Sequence, residues 1–188
     1  MTSVASAVDR LRALAATDEI SALSARFSQA GRELALVGGP VRDSFLDRPA
    51  NDLDFTTDAH PDEIVALVAP IARTHWDIGR EFGTIGAHIG GHSVEITTYR
   101  EDAYDGATRK PVVAFGSDLN GDLVRRDFTV NAMALRLPDL VLVDPTGGVE
   151  DLLSGILRTP IDPAISFGDD PLRMIRAAAT SVSVPSSP

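Results

Sequence analysis

Apolar positions recur at helical spacing through the first 31 residues. Val8, Leu11 and Leu14 form one stripe, and Ile20, Leu23 and Phe27 form a second. A period of three to four residues places each set on one helix face, so two helices are expected, broken near Thr17-Asp18. At about residue 33 the pattern changes. Leu34 to Val37 is an unbroken apolar run ended by Gly38-Gly39, which reads as a buried strand and a turn. Pro40 to Leu46 reads as a short helix, with proline in the first turn, where its missing N–H costs little. Arg48 to Asn51 reads as a turn. Asp52-Leu53-Asp54-Phe55-Thr56 then alternates as a second strand.

Pro61 to Val68 reads as a helix opened by Asp58 or His60, and residues 71–77 as a short strand. Phe82 to Ile89 and His92 to Tyr99 alternate as a hairpin around Gly90-Gly91. The stretch 101–122, rich in Asp, Gly and Pro, reads as a mobile loop. Residues 124–137 return to helix or strand, and Leu140 to Val143 is a strand ending at Asp144-Pro145. Gly147 to Leu153 is a short helix after a glycine turn, and Pro160 to Arg176 is mainly helical. Thr180 to Pro188 is rich in Ser, Val and Pro, a composition that favours disorder. The expected class is α/β, a mixed, largely antiparallel sheet of about five strands with helices on one side.

Composition narrows the function classes. A chain of 188 residues can bury one real core. With no Cys there is neither a disulfide framework nor a thiolate metal site. The N-terminus lacks a basic segment followed by an apolar core, and no apolar run approaches a membrane span. A cytoplasmic protein without membrane contact is therefore the default expectation. The net charge of −10 argues against broad, non-specific nucleic-acid binding by this chain alone. Lys110 is the sole lysine; the other basic residues are Arg, which suits bidentate phosphate and base-edge contacts. His60, His75, His88 and His92 show no zinc-like grouping, and Trp76 and the few other aromatics form no base-stacking stripe.

Alternation along the second strand places Asp52 and Asp54 on one face, where two carboxylates repel unless a cation neutralises them. A glycine turn feeding a helix is, independently, an anion site. Together they suggest metal-assisted phosphoryl chemistry, although Gly-Gly alone can be a tight turn and Asp-x-Asp a solvated strand face. The whole string resembles motif A of the nucleotidyltransferase superfamily. The form is that of the class II tRNA nucleotidyltransferases (CCA-adding enzymes) and bacterial poly(A) polymerases, whose N-terminal head carries GG-x-VRD-x-x-L-x-R and then D-x-D. Here these are Gly38, Gly39, Val41, Arg42, Asp43, Leu46 and Arg48, then Asp52 and Asp54. Asp47 departs from the usual Gly, which is expected to alter a turn and not the chemistry.

Further stretches carry the same resemblance. Glu95 alone reads as an exposed hairpin Glu; the resemblance implies a third acid beside Asp52 and Asp54. Arg125-Arg126-Asp127-Phe128-Thr129-Val130-Asn131-Ala132 resembles RRDFT-x-NA. Arg125 and Arg126 can neutralise a triphosphate, Asn131 can bond a ribose hydroxyl, and Asp127 would hold an Arg in place. Asp144 to Leu152 resembles D-x-x-GG-x-x-DL, read as a structural turn and interdomain hinge. Asp170-Pro171-Leu172-Arg173 resembles the latter part of ED-x-x-R, with Asp169 replacing the Glu. On the residues alone, Asp170 and Arg173 lie one helical turn apart and could form a salt bridge. The resemblance implies instead a template that reads cytosine and adenine, with Arg176 supporting it or a phosphate.

The resemblance spans about residues 33–178. It implies N-terminal helices over 1–32, a catalytic head over 33–153, the start of a helical neck over 154–179, and a disordered tail over 180–188. It further implies a two-metal Mg²⁺ site on Asp52 and Asp54, with CTP, ATP and a tRNA 3′ end as partners. The chain reads as truncated after the head, with Leu172 and Ile175 exposed and available for self-association. Polyadenylation or partial CCA addition is the nearest alternative. An inactive head that only binds nucleotide or a partner is the alternative of another class.

Overall fold

The computed structural model describes residues 3–50, 52–103, 112–116 and 118–183. Helices α1 (Val4–Ala15) and α2 (Asp18–Gln29) stand where the two stripes place them. The Ser3 side chain accepts from the Ser6 N–H and caps α1, while Asp18 and Glu19 suit the positive end of α2. Strand β1 (Leu34–Val37) leads through Gly38 into α3 (Gly39–Phe45), and β2 (Asp52–Thr57) follows. After α4 (Pro61–Val68) come β3 (Thr74–Trp76), β4 (Thr84–Ile89) and β5 (His92–Thr98). The His60 side chain accepts from the Glu63 N–H and Glu63 bonds back to the His60 N–H, so His60, one of the two expected openers, caps α4.

The stretch expected to be a mobile loop holds more order than its composition suggests. Strands β6 (Arg100–Ala103) and β7 (Val112–Phe115) pair antiparallel, and α5 (Leu119–Val124) follows, capped by Asp118. Val112-Val113-Ala114-Phe115 carries the β-branched and aromatic residues that suit a strand. Residues 104–111 and 117 lie outside the described residues. A 3₁₀ turn at Thr129–Asn131 then enters β8 (Ala134–Leu137), β9 (Val141–Val143) and α6 (Gly148–Leu153). Helices α7 (Pro163–Asp169) and α8 (Leu172–Ser183) end the described chain. Residues 180–183, expected in a disordered tail, continue α8, where Thr180 is buried; residues 184–188 lie outside the described residues.

Seven strands, rather than about five, form the main sheet in the order β3-β4-β5-β2-β1-β8-β9. The edge strands β3 and β9, three residues each, lie within the short strands expected over 71–77 and Leu140 to Val143, and β8 lies in the stretch 124–137 that reads as helix or strand. Among the described residues only β2 and β5 pair parallel; the other neighbours in this sheet are antiparallel. One face carries Leu34, Leu36, Leu53, Phe55, Ile85, Ile96 and Leu135, which α1–α4 cover to make the core. On the opposite face a smaller cluster joins Ala35, Val37, Ala134 and Tyr99 to Leu119 and Leu123 of α5. Since Ala35 pairs with Thr56, alternation puts Asp52 and Asp54 on this second, less covered face. Among the described residues, no helix is long and apolar enough to cross a membrane.

Candidate active site

The register of β2 and β5 assembles the acids. Asp54 lies directly opposite Glu95, and Asp52 opposite Ser93, so Asp52, Asp54 and Glu95 share one face. Val94 and Ile96 point into the core, which holds that register in place. Asp52 and Glu95 are exposed and Asp54 is half-buried. Burial pushes the Asp54 carboxyl up from its ordinary range, and the charges of Glu95 and Asp52 push it the same way, while Arg126 opposes them.

Arg126 ties this face to the glycine turn. Gly38 has φ of 69°, in the left-handed region, and a Cβ there would sit 3.4 Å from Arg126 Nη1. Arg126 Nη2 donates to Asp122 Oδ2 at 3.1 Å, and Asp122 also accepts from the Thr56 hydroxyl and the Arg100 N–H. Asp122 is 4% exposed, so a buried carboxylate bonded to Thr56, two residues along β2 from Asp54, aims Arg126. Sequence reasoning missed Asp122. Its spacing of four from Arg126 on a helical stretch was the available signal.

A chain of polar contacts joins the remaining expected residues. Arg42 Nη1 donates to Asn131 Oδ1 at 2.7 Å, and Asn131 Nδ2 donates to Asp127 Oδ1 at 3.1 Å. Asp127 Oδ2 accepts from Arg176 Nε at 3.2 Å. Arg176 Nη2 donates in turn to Asp170 Oδ2 at 2.6 Å, which holds the Asp170 carboxyl below the ordinary range. Asp170 therefore pairs with Arg176, not with Arg173 as helical spacing suggests. Asp170 sits at the junction of α7 and α8, and its Oδ1 accepts from the Leu172 N–H. Arg173 turns inward, donating to the Ser166 hydroxyl and to the Arg125 carbonyl at 2.7 Å, and its Nε is buried without a protein partner.

Among the described residues, no group of three His, Cys, Asp or Glu side chains converges tightly enough to hold a metal ion on its own. The donor set still fits Mg²⁺, which is bound by one or two carboxylates with water and substrate phosphate completing the shell. Asp52 and Asp54 offer oxygen donors on one face, and a cation there would relieve the mutual repulsion around Asp54.

The model of the "Poly A polymerase head domain" family matches residues 34–158. The chain belongs to that family. This poly(A) polymerase head-domain protein is 46% identical over 149 residues to a CCA-adding enzyme of Lactobacillus helveticus and 42% identical over 150 residues to one of Bacillus subtilis. Each alignment takes in 79% of this chain and 36% of the relative, so the chain spans about a third of its relatives' length. A solved Bacillus stearothermophilus CCA-adding enzyme in complex with CTP superposes with a TM-score of 0.77 at 32% identity, covering 90% of this chain and 40% of that one. A Thermotoga maritima CCA-adding enzyme complexed with tRNA superposes at 0.64 and 30% identity, covering 82% and 34%.

The structural reading of the Asp144 to Leu152 stretch of this head-domain protein matches its geometry. Asp144 accepts from the Gly148 and Val149 N–H groups and caps α6. A Cβ at Gly148 would meet the Thr129 carbonyl at 2.1 Å, so only glycine allows the approach. Asp151, buried, accepts from the Thr129 hydroxyl and from Arg158. These contacts lock α6 against the turn that carries Asn131.

Proposed function

We propose that this chain is the catalytic head of a template-independent RNA nucleotidyltransferase that adds C and A from CTP and ATP to the 3′ end of tRNA. What supports it most is the register that sets Glu95 against Asp54, with Asp52 on the same face. The reaction joins the RNA 3′ oxygen to the α-phosphorus of the incoming nucleotide. The bond from that phosphorus to the bridging oxygen breaks, and pyrophosphate leaves with the electron pair. The hydroxyl proton leaves to water as the oxygen attacks, its acidity raised by the metal that Asp52 and Asp54 would hold. Mg²⁺ held by Asp52 and Asp54, with Glu95 beside them, would supply Lewis-acid activation of the hydroxyl and neutralise the leaving group. Gly38 and Gly39 let the triphosphate approach the backbone, where Arg42, Arg125 and Arg126 supply positive charge. Asn131 serves the ribose.

Base choice falls to Asp170 and Arg173 in this reading. The carboxylate retains lone pairs beyond its contacts to Arg176 and Leu172 and can accept from a base's amino group. Arg173, held by Ser166 and the Arg125 carbonyl, donates to the adjacent ring nitrogen. Cytosine and adenine both present an acceptor nitrogen beside an amino group, so one pair serves both. A cytoplasmic location goes with a tRNA substrate. In the isolated 188-residue polypeptide, the exposed Leu172 and Ile175 bring two copies together.

Incorporation of labelled CTP and ATP into tRNA lacking its CCA end, each nucleotide alone and both together, tests the reading. The assay uses this chain and a form extended with a helical body. The expected product of the extended form is CCA. A run of A residues assigns the head to the polyadenylating relatives, and no incorporation by either form overturns the reading.

A further inference from the structure

The open face of the sheet continues past the acids toward the β3 edge. Gly86 of β4 pairs with Glu95, and Trp76 of β3 pairs with Gly86, so Trp76, Gly86, Glu95 and Asp54 form one row across four strands. The Trp76 indole lies over Gly86, where an added Cβ would meet its ring at 2.0 Å. Beside it stands exposed His88, with ring centroids 5.0 Å apart and planes inclined at 57°. The next row, Thr74, His88, Ser93 and Asp52, is polar throughout.

We propose that Trp76, flanked by His88, is a positioning residue on which the unpaired base at the 3′ end of the RNA stacks. The proposal rests on reading this chain as an RNA nucleotidyltransferase head, and it adds the surface that holds the primer end. The indole over Gly86 is one strand from Glu95 and two from Asp54, about 5 and 10 Å at ordinary strand spacing. A nucleotide whose 3′ hydroxyl sits at the acids carries its base within that reach. The net charge of −10 weakens the general attraction of the chain for RNA phosphates. Stacking needs no charge, and an aromatic face accepts any base. An indole laid over a strand glycine also covers exposed backbone, so the test separates that structural role from stacking.

Trp76 is the only tryptophan, so the protein's own fluorescence reports on this surface. The wild-type chain, without nucleotide or metal, is titrated with a short single-stranded RNA ending in cytidine and with the same RNA ending in an abasic ribose. Quenching by the first, at least about fivefold weaker with the second, is the expected result for a stacked base. Equal quenching by both, or none at concentrations where filter binding is saturated, overturns the proposal, as does a lack of any RNA binding. In a form that incorporates nucleotide, Trp76→Leu should raise the KM for RNA about tenfold with kcat within about twofold, and Trp76→Phe should recover most of that loss. A fall in Tm and kcat with unchanged KM makes Trp76 only a cover for Gly86. Base-dependent quenching without incorporation by any form of the protein removes the enzymatic reading and leaves the RNA contact standing.

Discussion

Asp54 is the residue whose surroundings most constrain its chemistry. Its pKa is raised in the folded state, so folding disfavours the carboxylate and stability is gained as pH falls through that raised value. Asp54→Asn should therefore raise stability at pH 7 by up to about 1 kcal/mol. The gain should vanish in melting curves at low pH, where the wild-type group is already protonated. Nucleotide addition by an active form should fall at least about a thousandfold, as expected on losing a group that would hold the metal. A stabilised variant that keeps its turnover would remove Asp54 from the site. Strand alternation alone places Asp52 and Asp54 together. The contact between Arg42 and Asn131 spans 89 positions and has no local pattern, so only the folded chain reveals it.

At the scale of elements, the turn between α3 and β2 carries a cost. Asp47 has φ of 57°, where a side chain is strained, and this is the position at which the resemblance expects Gly. Its ion pair with Arg10, at 3.4 Å, is 71% exposed on the Asp side and offsets little. Asp47→Gly should stabilise the protein by about 0.5–1 kcal/mol in thermal or urea unfolding, with incorporation unchanged. The junction of α7 and α8 behaves differently. Asp170→Ala removes a partner of Arg176 but leaves that Arg its bond to Asp127. Discrimination against UTP and GTP should fall by roughly 1–3 kcal/mol per lost contact, while α8 stays docked by amide exchange. Unchanged selectivity would make the Asp170–Arg176 pair purely structural. Long periodic elements such as α1, α2 and the β4–β5 hairpin were legible in sequence. The short edge strands β3 and β9 were legible too, but the β6–β7 pair was not, because tertiary pairing rather than local pattern defines it.

Across the whole molecule, the sheet order could not be read from the chain. The parallel pairing of β2 with β5 puts Glu95 beside Asp54 across 41 positions, and only the family resemblance anticipated that neighbour. The molecule's least typical surface is α8. It turns Arg173, Ala177 and Thr180 inward and leaves Leu172 at 60%, Met174 at 57% and Ile175 at 70% exposure. A contiguous exposed apolar stripe favours association with a second copy. The net charge of −10 opposes that approach, and salt screens the repulsion. Self-association of the 188-residue polypeptide should therefore strengthen between about 0.05 and 0.5 M salt, on either side of the physiological screening range. Binding to RNA phosphates runs the other way, because salt weakens it. Sedimentation velocity across that range should show the dimer fraction rising. Leu172→Glu combined with Ile175→Glu should stay monomeric, with the Trp76 fluorescence response to RNA unchanged. A wild-type chain that is monomeric at every salt concentration would mean that the apolar stripe of α8 does not drive self-association.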